Sequence, residues 1–151
     1  MNDQRWQIGA HEARVESPDV FLLSVVGDVS EVEAVRILEL SEARTERMDH
    51  QFWLVDASRA GYISAGARRR AASWPLSPRH WGTAVFGVGF AQRMLASMLA
   101  SARRALRGEV EPISLHATEP KARAWILAER VRRTVSARCL PPGVPARMIK
   151  R

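Results

Sequence analysis

The sequence predicts a single-domain α/β fold: a mixed sheet of about five strands, with an opening antiparallel hairpin and about four helices. Three observations predict it. The run Phe52-Trp53-Leu54-Val55 leads straight into Asp56-Ala57-Ser58-Arg59-Ala60-Gly61, a short apolar segment closed by turn chemistry, which is the pattern of a strand covered on both faces. A second apolar run, Val20-Phe21-Leu22-Leu23-Ser24-Val25-Val26, ends at Gly27-Asp28. Between and after these runs the apolar spacing switches from the period of a strand to that of a helix.

Taken in order, residues 7–15 alternate loosely through Ile8, Ala10, Ala13 and Val15 and read as an edge strand. Ser17-Pro18-Asp19 is a turn, so this strand and the next form the hairpin. Ser30 with Glu33 three residues later makes a capping box. The helix it opens should turn Val32, Val35, Ile37 and Leu38 inward and run to about residue 47. The central strand follows, then a loop over residues 58–63. Ser64 is placed to cap a short helix over residues 65–72 that bears Arg68, Arg69 and Arg70. Pro75 and Pro78 hold an extended connection. Residues 83–88 read as a buried strand. Phe90, Met94, Leu95, Met98, Leu99 and Leu106 recur at helical spacing, which predicts a strongly apolar helix over residues 90–107 with Gly108 beyond its end. Residues 113–116 form a short strand. Thr118 and Pro120 open a last helix, with Ala122, Trp125, Ile126 and Val131 facing inward and an end near Arg133. The domain is expected over residues 1–133, and residues 134–151, with Pro141, Pro142 and Pro145, as a loose tail.

The chain of 151 residues carries a net charge of +7, and the charge is divided. Residues 1–56 hold five basic and twelve acidic side chains, a balance of −7, and residues 57–151 hold eighteen basic and four acidic ones, a balance of +14. All but two of the 23 basic residues are arginine. Charge alone argues for a solvated basic face rather than for nucleic acid as the partner. The lone Cys139 and the polar N-terminus point to the cytoplasm, and no apolar run is long enough to span a bilayer. The four histidines are dispersed and only one cysteine is present, so no metal is expected. No Ser-His-Asp or Cys-His pattern assembles, no cofactor motif is complete, and Gly87-Val88-Gly89 lacks the rest of a phosphate loop. The expectation is therefore a protein that is not an enzyme, without catalytic residue or cofactor.

The opening hairpin closing on Gly27-Asp28, the segment Leu54-Val55-Asp56-Ala57-Ser58, the strand over residues 84–88 with Phe90 and Met94-Leu95 behind it, and Thr118-Glu119 with Ala122-Arg123-Ala124-Trp125-Ile126 resemble, in order and spacing, the STAS domains. The resemblance covers about residues 7–133 and is nearest to the SpoIIAA-like branch, the anti-sigma-factor antagonists, whose fold is related to that of CRAL-TRIO lipid-exchange domains. It implies a regulatory protein as partner and a phosphorylatable serine at the N-terminus of the helix after the central strand. The matching stretch is Tyr62-Ile63-Ser64-Ala65-Gly66. It lacks the Asp-Ser pair of that family and is followed by three arginines.

Ser64 is thus read two ways, as a helix cap and as a phospho-acceptor; a phosphate there would sit at a helix N-terminus near cationic side chains. Asp56 and Ser58, at the end of a central strand, are either turn-formers or ligands of something bound there. Arg68, Arg69, Trp74, Phe90 and Met94 complete the set of expected partner- or ligand-binding residues. The function expected is a regulatory protein–protein interaction through residues 56–70. The alternative is a carrier or sensor of a small apolar or lipid-like ligand held between the sheet and the helices at 64–73 and 90–107. The opposite charges of the two halves also make a homodimer an expectation.

Overall fold

The computed structural model describes residues 4–89 and 112–138. One sheet of six strands runs in sequence order: β1 (Arg5–Ile8), β2 (His11–Glu16), β3 (Val20–Val29), β4 (Gln51–Ile63), β5 (His80–Phe86) and β6 (Ile113–His116). The first two pairings are antiparallel and the remaining three parallel. Among the described residues there are three helices: α1 (Glu31–Thr45), α2 (Ala65–Ser73) and α3 (Glu119–Arg138). The mixed α/β class with its opening hairpin is as expected. The helix expected at residues 90–107 lies outside the described residues.

Alternation along the strands sorts the core into two layers. Phe21, Leu23, Val25 and Val29 of β3 face α1 and α2, where Ala34, Ile37 and Ala67 meet them, with Trp53 and Val55 of β4 packed alongside. Val20 and Leu22, Phe52 and Leu54, and Ala84 and Phe86 face the other way and meet Ala122 and Ile126 of α3. Because both faces of β4 are covered, its apolar run is unbroken. Two polar clusters lock the layers. Buried Gln51 accepts hydrogen bonds from Ser41 Oγ (2.9 Å) and Thr45 Oγ1 (2.8 Å), while Trp53 Nε1 donates to Ser41 Oγ at 2.7 Å. On the opposite face Asp19, only 2% exposed, receives both guanidinium arms of Arg130 and lies 2.8 Å from His50 Nε2. His50 in turn stacks on Trp81 at 3.8 Å.

Four expectations need correction. The single edge strand expected over residues 7–15 is two strands folded back on each other, because Gly9 adopts a left-handed φ of 59° and reverses the chain. The loop expected at residues 58–63 is strand: β4 continues to Ile63 and stays paired with β3, through register shifts, as far as Val29↔Ile63. Val32 does not face the core but is 62% exposed, since the inward stripe of α1 is Ala34, Ile37, Leu38, Ser41 and Thr45. Val131 likewise points outward, and with Leu127 and Val135 it forms an exposed stripe at intervals of four residues on α3, which runs on to Arg138. The capping box at Ser30 and Glu33 is present as read: Glu33 N donates to Ser30 Oγ (3.3 Å), and Ser30 N donates to Glu33 Oε2 (2.9 Å).

Two stability outcomes follow from these clusters. Asp19→Ala leaves a guanidinium and an imidazole facing apolar rings and should cost about 2 kcal/mol or more of unfolding free energy in a urea melt. The second concerns acid. Glu16 of β2 is held by Arg123 of α3 (2.7 Å) and by Arg14 (2.7 Å), and hydrogen bonding to Arg123 is the largest cause of a carboxyl pKa below its ordinary 4.5. A lowered folded-state pKa means stability that is fully present above the unfolded value and lost as pH falls through the folded one. Arg123→Met should therefore lower the urea midpoint at neutral pH and flatten its fall on acidification.

Candidate functional site

Past Asp56 the sheet narrows. Asp56 is the last residue of β4 that pairs with β5, opposite Phe86, whereas β3 and β4 run on together to Val29 and Ile63. This two-stranded extension delivers the chain to the starts of both α1 and α2. Ser64 N donates to Val29 O (3.0 Å), joining the two entry points. Asp28 Oδ1 accepts from Tyr62 N at 2.7 Å, and Arg70 Nε donates to Glu31 Oε1 at 2.9 Å, tying α2 to the first turn of α1. The helices approach so closely there that a Cβ on Gly66 would lie 2.9 Å from the Glu31 Cβ.

The residues expected to act together fall in different places. Ser64 is the N-cap of α2: its Oγ accepts from Ala67 N at 3.1 Å, and its hydroxyl proton has no acceptor among the described residues. Arg68 sits one turn on and lies 5.9 Å over the ring of Tyr62, while Arg69 is exposed. Asp56 and Ser58 are separated from Ser64 by strand, about 20 Å for Asp56, and so belong to another spot. There Asp56 Oδ1 accepts from both Ser58 N (2.9 Å) and Ser58 Oγ (2.6 Å), the turn-forming arrangement. Gly87 presses on this corner with φ 72°, and a Cβ on it would come within 2.8 Å of Ser58 N. Trp74 closes the far end of α2 as its C-cap. Phe90 and Met94 lie outside the described residues.

One feature here was not expected from the sequence, and a second was expected in part, as a space for an apolar ligand between the sheet and the helix at residues 64–73. The first is an exposed pair: Tyr62, the chain's one tyrosine, is 61% exposed and Val32 is 62% exposed, at the entries to α2 and α1. The second is a cavity of about 250 Å³ between the sheet and these helices. Leu23, Val25, Trp53 and Val55 form its floor, and Ala34, Ala57, Ala60, Ala67 and Ala71 border it. The signal was in the sequence, in that alanine occupies the facing positions where larger residues would close the layer.

No group of three or more His, Cys, Asp or Glu is placed to hold a metal among the described residues, and no helix there is long and apolar enough to cross a membrane.

No protein-family model matches the chain, and no curated protein does. Solved structures do. The anti-sigma factor antagonist SpoIIAA in its unphosphorylated form is 13% identical with a TM-score of 0.49, covering 82% of this chain and 98% of its own. A DUF3478-family protein with a SpoIIAA-like fold from Shewanella loihica is 14% identical with a TM-score of 0.49, covering 77% of this chain and 91% of its own.

The cap itself can be tested. Ser64→Ala should lower stability by about 1 kcal/mol, whereas Ser64→Asp, which keeps an acceptor for Ala67 N, should restore most of it in the same urea melt.

Proposed function

We propose that this chain is a non-catalytic regulatory domain that binds a partner protein at the end of the sheet where α1 and α2 begin. The observation that carries the reading is the exposure of Tyr62 and Val32 beside two adjoining helix N-termini, one of them capped by Ser64. An aromatic ring held out by paired strands and a branched side chain held in the first turn of α1 make a rigid apolar contact at small entropic cost. The α2 N-terminus, which has no acidic residue in its first turn, adds partial positive charge, and Arg68 and Arg69 add full charge, so acidic groups on the partner are favoured beside α2. A phosphate on Ser64 would occupy that place and compete with such groups, which supplies the regulation. The STAS resemblance of the sequence favours the same reading.

A second reading rests on the cavity: the domain also holds a small apolar ligand between its sheet and α1 and α2. Its support is the alanine-bordered lining, which offers few polar atoms to water.

Affinity capture from the native host with wild-type protein and the Tyr62→Ala and Val32→Ser variants tests the first reading. A protein retained by the wild type should be lost at least tenfold from both variants and retained by Leu127→Ser on the far helix. Equal retention by all four would overturn the assigned surface. The solution mass, one chain or two, separates a foreign partner from a second copy, and peptide mapping shows whether phosphate resides on Ser64.

A further inference from the structure

The cavity also specifies the ligand's chemistry, and this inference rests on the second reading above. Among the described residues its lining is apolar apart from Arg68, His80 and Thr83. Two polar groups at its wall are already engaged: Trp53 Nε1 donates to Ser41, and His80 Nε2 lies 3.1 Å from Thr83 Oγ1. Arg68 differs. It lines the cavity from the second turn of α2, is half-buried, and has no carboxylate within ion-pair distance among the described residues, although its neighbour Arg70 is paired with Glu31. Its contact is the face of Tyr62, which leaves the guanidinium's hydrogen-bonding edge available. A half-buried arginine without an anion beside an apolar space is complementary to a molecule that is apolar along its length and acidic at one end.

We propose that the cavity binds a small apolar monocarboxylic acid, its carboxylate on Arg68 and its hydrocarbon part against Leu23, Val25, Trp53 and Val55. The volume of about 250 Å³ equals about eight water volumes, which suits an acid of about eight to ten non-hydrogen atoms. Occupation would also reach the partner surface, because Ile63, Ala67 and Arg68, which flank Ser64 in the chain, all line the cavity. Drawing Arg68 onto a carboxylate takes it from the Tyr62 ring. Ligand and partner then bias the same side chain.

Isothermal titration calorimetry with octanoate and octan-1-ol, on delipidated full-length protein, tests this. Octanoate should bind at least tenfold more tightly than octan-1-ol, and Arg68→Gln should abolish that difference while leaving octan-1-ol unchanged. Ala71→Leu and Ala67→Leu, which put bulk into the cavity, should weaken both ligands; the first sits on a half-exposed position and guards against loss of folding, checked by circular dichroism. Equal binding of acid and alcohol to the wild type would overturn the acid and keep the apolar cavity. Binding of neither, by protein that is folded, would overturn both and mean that the protein's own side chains fill the space.

Discussion

The parallel pairing of β3 with β4 is the constraint on which the other features depend. It runs from Val20↔Phe52 to Val29↔Ile63, longer than any other pairing in the sheet. Its first half is clothed on both faces and builds both cores. Its second half outlasts β5, so the same two strands change role from core to scaffold at Asp56. The register shifts within the pair let β4 take up extra residues and still finish opposite Val29. That finish sets where Ser64 lies, and the hydrogen bond from Ser64 N to Val29 O then fixes the entry of α2 against that of α1.

The two faces of this sheet are held by different physics. Toward α3 the contact is dense with charge and aromatic rings: Arg130 reaches Asp19 and lies over Phe52, Arg133 lies over Trp81, and His50 stacks on the same indole. Burial depresses the pKa of Arg133, the expected cost of placing a cation against apolar rings. Such contacts are directional and tolerate little sliding. Toward α1 and α2 the contact mixes Ile37 and Leu38 with small side chains such as Ala34 and Ala67, and its polar network of Ser41, Thr45, Gln51 and Trp53 sits at the C-terminal end of α1. The N-terminal ends of these helices are pinned by caps and by Arg70 with Glu31. Between the two pinned ends lies the cavity. Rigidity and space are thus segregated to opposite sides of one sheet.

Much of this was legible in the residues, and what was not has identifiable causes. Ser30 and Glu33 announced a helix start because a capping box depends only on neighbours in sequence. The core half of β4 was legible because burial on both faces demands an unbroken apolar run. The outer half was not: Ser58-Arg59-Ala60-Gly61 has the composition of a loop, and only main-chain bonds to β3, which leave no side-chain signature, keep it extended. Val32 was assigned inward because it is apolar, yet the inward stripe of α1 includes Ala34, Ser41 and Thr45. Small and hydroxylated residues buried by a polar network are invisible to a count of hydrophobic spacing. At the site, Ser64 could be found from its place ahead of a helical segment. Its separation from Asp56 could not, because it depends on whether the intervening residues are extended or coiled.

The placement of Arg68 joins these strands of argument. A helix of nine residues has few positions that can serve a surface and an interior at once. Position 68 is one, a turn beyond the cap and on the boundary between the exposed Tyr62 and the lining Ala67 and Ala71. A hydrophobic residue there would seal the cavity and remove charge from the surface, and a carboxylate would oppose any anion at the helix N-terminus. Arginine satisfies both sides, since its stem covers apolar atoms while its head remains free to choose between an aromatic face and an anion. The basic character of the second half of the chain is at this position a side chain that touches both the lining of the cavity and the exposed ring of Tyr62.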